Sequence, residues 1–250
     1  AGLSGNCVGA TSPCTMTVGT GGNLDARIAP FNRVFFTSSL YTGDRKKFGG
    51  DGSVRDFDSE CQAAAATASL PEANRYRAYF STGTRVAIEQ LKTADGADSR
   101  GWVRMDKLPF ADSKGDLGSR KIYYPVLFNE LNQSAYDLVA DGKVSYWTGT
   151  GSANTLDANC VDFTDGTVNF SGQRGSPVAG GNAWIDRGQA AQCSVAQPIL
   201  CMGTAFRPLL FRPANTGRTV FLSSLVTDVT HGLAPFDQAC WNDALATGLC

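Results

Sequence analysis

Residues 33–40 read Arg33-Val34-Phe35-Phe36-Thr37-Ser38-Ser39-Leu40, and residues 218–225 read Arg218-Thr219-Val220-Phe221-Leu222-Ser223-Ser224-Leu225. The core of the first copy, Arg33 to Ser38, is β-branched and aromatic, which predicts a strand. The likeness continues downstream: Phe57, Asp58, Cys61 and Leu70 are matched without a gap by Phe236, Asp237, Cys240 and Leu249. In the first copy, Asp56 to Leu70 is expected to be a helix. Asp56 and Asp58 stand where carboxylates cap a helix and oppose its dipole. Ala63–Ala66 has the highest helix propensity, and Pro71 stops the run. Phe57, Cys61, Ala64 and Ala68 fall on one stripe, which turns Cys61 toward the core. The C-terminus therefore reads as the opening strand and helix of a second module.

Between the copies, Arg77–Ser81 is expected to be a short strand and Thr84–Lys92 a second helix. Residues 93–120 read as loop around Trp102. Ile122–Phe128 reads as an edge strand because Pro125 interrupts it. Ser145–Thr150 and Pro198–Met202 complete the strands, and 150–190 reads as long ordered loops. Elements of both types with long loops predict an α+β domain rather than a parallel βαβ sheet. Residues 1–30 read as an irregular segment. Within it, Cys7 and Cys14 followed by Thr15-Met16-Thr17 echo Cys193 and Cys201 followed by Met202-Gly203-Thr204, with the spacing shifted by one. The organisation expected is 1–29, the end of a split module; 30–206, a complete module; and 207–250, a half-repeat. The other reading of the first segment is a small loop closed by Cys7–Cys14.

Composition limits the function. With 22 Lys+Arg against 23 Asp+Glu the net charge is -1, too little basic field for nucleic acid or an anionic membrane. No run approaches the roughly 20 apolar residues of a membrane span. The 8 Cys include no CxxC pair, which argues against zinc ribbons and thioredoxin-type sites, and 1 His excludes a zinc site using several. That residue, His231, would have to serve any Ser-His-Asp triad, and a surface loop histidine is the simpler reading. An even cysteine count without these motifs predicts disulfides and an oxidising compartment, hence an extracellular or cell-surface location. The opening Ala1-Gly2-Leu3-Ser4-Gly5-Asn6 has neither a basic nor an apolar leader, as a processed secreted chain would.

The ordered residues Phe35-Phe36-Thr37-Ser38, Asp58, Cys61-Gln62, Leu70, Tyr76-Arg77-Ala78-Tyr79-Phe80-Ser81, Trp147-Thr148-Gly149, Cys160, Gly172, Cys193 and Leu200-Cys201 resemble endostatin, the C-terminal domain of certain collagens, and a bacterial family of secreted proteins sharing its design. The resemblance covers roughly residues 30–205. It implies a disulfide-stapled C-type-lectin/endostatin-like fold. It also implies nested bridges, Cys61 with Cys201 and Cys160 with Cys193. By analogy the split module would pair Cys14 with Cys240 and Cys7 with Cys250.

The functional sites of such folds are thinly represented. Gln197-Pro198 is followed by Ile199, which offers no oxygen to calcium. Trp241-Asn242-Asp243 falls on the repeat's helix. Asp157, Asn159, Asp162 and Asp165 surround Cys160, and Asp51, Asp56 and Asp58 surround the first helix start. Neither cluster has EF-hand spacing, so turn-forming roles are the simpler reading; no cofactor is expected, and calcium is the ion these clusters would admit. Trp102, Trp184, Tyr123 and Tyr124 could stack on sugar rings or fill the core under the loops. Paired carboxylates for glycoside hydrolysis cannot be picked out, and the glycine pairs follow no phosphate-loop pattern. The expectation is a non-enzymatic module of extracellular assembly, self-associating head-to-tail as a filament or array, or of adhesion. The alternatives are a lectin-like module recognising a glycan or surface protein, and a piece of a longer multi-module surface protein.

Overall fold

The computed structural model describes residues 3–4, 14–18, 22–26, 30–44, 56–138, 144–151, 156–210 and 234–246. Two compact units divide the chain, Ala1–Leu210 and Phe211–Cys250. Cys7, Cys250, His231, Asp51 and the second-copy strand 218–225 lie outside the described residues.

The first unit is an α+β structure. Three strands precede the module: β1 (Leu3–Ser4), β2 (Cys14–Val18) and β3 (Gly22–Ala26), paired antiparallel in the order β1-β2-β3. This corrects the expectation of an irregular start. Thr15, Thr17 and Val18 give β2 its β-branched residues.

The module itself is built on β4 (Asn32–Phe36), α1 (Phe57–Thr67), β5 (Tyr76–Ala78), β6 (Trp102–Val103), β7 (Pro109–Ala111), α2 (Lys114–Gly118), α3 (Ala135–Leu138), β8 (Tyr146–Trp147), β9 (Ser171–Gly172), β10 (Arg174–Gly175), β11 (Ala191–Gln192) and β12 (Leu200–Gly203). Five strands form a mixed sheet in the order β5-β12-β4-β6-β7. β12 runs antiparallel to both β4 and β5, and β4 runs parallel to β6.

The apolar run Val34-Phe35-Phe36 has no polar alternation because both faces of the sheet are covered. Val34 and Phe36 join Trp102, Phe110, Leu200 and Met202 in one core. Phe35 and Cys201 point the other way, into a core with Phe57, Cys61, Trp147 and Phe163. α1 covers this second face. Asp56 caps it by accepting from the Ser59 amide at 2.9 Å, and Phe57, Cys61 and Ala65 are its buried residues. Ala64 and Ala68 are only partly buried, so Ala65 takes the place the stripe gave them. Asn32 ties the two ends of the module together. Its side chain donates to the Phe206 carbonyl at 2.8 Å and accepts from the Phe206 amide at 3.1 Å.

Three other expectations change. Thr84–Lys92 is not a helix; only a 3-10 turn, Ala87–Gln90, forms. A backbone bridge between Thr82 and Arg85, and the Ser81 hydroxyl accepting from the Ala87 amide at 3.1 Å, draw the start of that segment out of helical geometry. Residues 93–120 hold β6, β7 and α2, whose Ser113 and Asp116 form a capping box. Ile122–Phe128 forms no strand. Leu127 has a φ of 60°, and the segment's backbone meets β4 where the Phe36 amide donates to the Phe128 carbonyl at 3.2 Å.

Candidate functional site

Both bridges implied by the family resemblance are formed. Cys61–Cys201 spans a sequence separation of 140 with Cα atoms 5.4 Å apart, and Cys160–Cys193 a separation of 33 with Cα atoms 5.6 Å apart. The outer bridge pins α1 to β12, an inner strand of the sheet. The inner one sits beneath a turn that no sequence pattern announced.

That turn is Cys160–Phe163, wound left-handed. Its four residues have φ of 52°, 54°, 59° and 54°, and none is glycine. Left-handed winding costs roughly 1–2 kcal/mol per residue for L-amino acids. It is held on all sides. The Asn159 carbonyl accepts from the Phe163 amide at 2.7 Å. The Asn159 side chain exchanges hydrogen bonds with Asp162, to its carboxylate at 2.6 Å and from its amide at 3.1 Å. Asp162 also accepts from the Gly83 amide at 2.7 Å. Phe163 is locked edge-on against Phe57, Phe80 and Trp147. The winding throws Val161, which is 49% exposed, outward.

Beside it, β9 pairs with β11, and Asn159 bridges to Gly172. Glycine is required at 172: a Cβ there would stand 2.7 Å from the Cys160 sulfur and 2.8 Å from the Trp147 ring. Gly172→Ala is expected to lower stability by about 1–3 kcal/mol through overpacking; a thermal melt matching the parent would contradict this. Between this turn and a second turn, at residues 168–170 just before β9, lies an open groove of about 460 Å³. Val161, Val168 and Phe170 give it apolar surface, and Asn159, Asn169 and Gln192 amide groups.

The residues singled out in the sequence distribute differently. Trp102 and Trp184 are fully buried core residues. Tyr124 is exposed, with the Arg104 guanidinium 5.6 Å from its ring centre, and Tyr123 is half-buried. Asp157 and Asp165 accept from the amides of Ala158 and Thr167, at 2.7 and 2.6 Å. Asp56 caps α1 and Asp58 pairs with Arg85. Among the described residues no three His, Cys, Asp or Glu side chains gather as a metal site. Gln197 is buried and accepts from the Ser145 hydroxyl at 2.8 Å, while Ile199 is core. The groove's Val161 and Phe170 were missed.

In the second unit, helix α4 (Ala234–Ala246) carries the repeat's cysteine. Trp241-Asn242-Asp243 lies on it as expected, with Gln238 donating to Asn242 at 2.9 Å. Cys240 is exposed, with a free thiol; its expected partner, Cys14, belongs to the other unit. The physical difference from α1 is cover. Phe57 and Cys61 are buried against the second core, whereas their counterparts Phe236 and Cys240 are half-buried and exposed. Trp241 and Leu245, one helical turn apart, are 57% and 53% exposed. The chain matches no family model and no curated protein.

Proposed function

We propose that the chain is a non-enzymatic module of an extracellular or cell-surface protein, on a C-type-lectin/endostatin-like fold, that works by assembly with neighbouring modules. The observation that carries this is the uncovered face of α4. In the first unit the same helix position holds a cysteine bridged to a strand and buried beneath it. In the second, Cys240 presents a free thiol beside Trp241 and Leu245. A cysteine-bearing strand like β2 of a neighbouring module would cover it as β12 covers α1. Such a contact is head-to-tail and propagates unless it closes into a ring. The two disulfides accord with an oxidising compartment.

The test is electrophoresis without and with reductant, paired with sedimentation velocity. The parent chain is expected to give a ladder that collapses on reduction, and Cys240→Ser to abolish it. A monomer under oxidising conditions, with no concentration dependence, sinks the assembly reading. A second reading, a binding module for an extracellular ligand, is favoured by the groove beside the left-handed turn, which is independent of α4.

A further inference from the structure

We infer that the partner of α4 is the three-stranded sheet β1-β2-β3 of a second copy of this chain, whose apolar face the helix covers. This rests on the assembly reading and gives it a surface and a register.

Register divides the residues of that sheet into two sets. Successive residues of a strand belong to opposite faces, and residues directly opposite each other on neighbouring strands share one. Leu3 is paired with Val18, Met16 with Leu24 and Cys14 with Ala26. These share one face, and all are apolar. Ser4 and Asn23 are both paired with Thr17, and Thr15 with Asp25. These share the other face, and all are polar. An antiparallel sheet divided in this way has one face for water and one for a core. Among the described elements of the first unit, no helix packs across it as α1 packs across β5 and β12.

The chain itself contains the pattern for such a cover. β12 lies between β4 and β5, antiparallel to both, with Cys201 opposite Phe35 and Ala78. α1 covers it with Phe57, Cys61 and Ala65 buried. β2 lies between β1 and β3, antiparallel to both, and its Cys14 stands opposite an alanine, Ala26. α4 has Phe236, Cys240 and Ala244 at the places of Phe57, Cys61 and Ala65. The sizes agree: α4, of 13 residues, spans roughly 20 Å, and β2 and β3, of 5 residues each, roughly 17 Å. α4 also needs wider cover than α1. Trp241 and Leu245 stand where α1 has Gln62 and Ala66, and they are 57% and 53% exposed. Their removal from water favours docking. Each copy carries both halves of the contact, so every contact uses one sheet and one helix and leaves one of each for the next copy. Docking sets Cys14 against Cys240 as Cys201 is set against Cys61. Their bridge forms when a small-molecule disulfide takes up the two electrons. The S–S bond of that oxidant breaks, the Cys14–Cys240 bond forms, and the two thiol protons leave on two small thiols.

The experiment is sedimentation velocity of the full chain at rising concentration, with gels run without reductant after exposure to glutathione disulfide. Met16→Lys, on the apolar face, and Trp241→Lys, on α4, are each expected to weaken association by roughly tenfold or more, as loss of a central interface side chain does. Thr17→Lys, one residue along β2 and on the polar face, is expected to leave association unchanged. A mixture of the Met16→Lys and Trp241→Lys chains is expected to give a dimer and nothing larger, because one intact helix then meets one intact sheet; the same result shows that both variants fold. Cys14→Ser is expected to remove the covalent ladder, as Cys240→Ser does, while keeping the concentration dependence. A parent chain that stays monomeric overturns the assembly reading and this inference with it. A parent that assembles while Met16→Lys assembles equally well, or while Cys14→Ser keeps its ladder, overturns the sheet as partner and leaves the assembly reading standing. Equal losses from Met16→Lys and Thr17→Lys, or a mixture that stays monomeric, overturn the assignment of faces. A Cys14–Cys240 bridge found by peptide mapping in the monomer band overturns the second copy as the source of the sheet.

Discussion

The double variant Cys61→Ala/Cys201→Ala is expected to melt about 10–20 °C below the parent chain. The bridge closes a separation of 140 residues, and the chain-entropy treatment of so long a loop gives about 5 kcal/mol. For a chain of this size each kcal/mol moves the midpoint by about 2–4 °C. Position reinforces length. Cys61 lies at 0% exposure on the buried face of α1, and Cys201 at 0% on β12, the strand between β4 and β5. The bridge therefore fixes the helix to an inner strand of the sheet. Differential scanning calorimetry checks it. The parent chain under full reduction should fall at least as far as the variant, because it also loses Cys160–Cys193. A variant within about 3 °C of the parent would show that the native packing alone sets the position of α1.

Asp58→Ala is expected to destabilise the chain by about 3 kcal/mol, a loss of a buried ion-pair partner. The Asp58 carboxylate binds the Arg85 guanidinium through two bonds of 2.9 and 3.0 Å and accepts from the Ala78 amide at 2.8 Å. It thereby joins the first turn of α1, the end of β5 and the loop after it. Both side chains are only 16% exposed. Alanine leaves the Arg85 charge beside the Phe80 ring, 4.3 Å from its centre, with one carbonyl acceptor, Ala78, at 2.8 Å. A urea titration measures the loss. Asp58→Asn, which keeps an acceptor for Ala78, should fall between the two, and a double-mutant cycle with Arg85→Ala should give a coupling above about 1 kcal/mol. Additivity in that cycle would reduce Asp58 to a helix-dipole charge.

Asp58 also marks where sequence reading stops. Its place at a helix start was legible from Asp56, the alanine run and Pro71, and the helix stands at Phe57–Thr67. Its partner, 27 residues away, was not, because only the sheet brings Arg85 back. The strand at Arg33–Ser38 was legible because burial on both faces writes an unbroken apolar run. β6, β8, β9 and β11 have two residues each, too few to write any period. Thr84–Lys92 carried an apolar pattern that the Ser81 hydroxyl and the Thr82–Arg85 bridge overrode. The left-handed turn left no trace because Cys160, Val161, Asp162 and Phe163 are held in it by distant residues, and glycine was the signal one would look for. Of the two roles open to Trp102 and Trp184, stacking on a sugar or filling the core, they take the second. The exposed Phe170 sits where no spacing pointed.

The adjacency of the module's two ends bears on how it would meet mechanical force. Val34 pairs with Met202 and Phe36 with Leu200, antiparallel, so a pull applied at Asn32 and at Gly203 peels β4 from β12 one pair at a time. Peeling starts by breaking the Asn32–Phe206 bonds and stops at the Cys61–Cys201 bridge. The 140 residues behind that bridge, roughly 480 Å of extended chain, stay withheld from the load. A pull on the two ends therefore lengthens the module only by the residues outside that bridge.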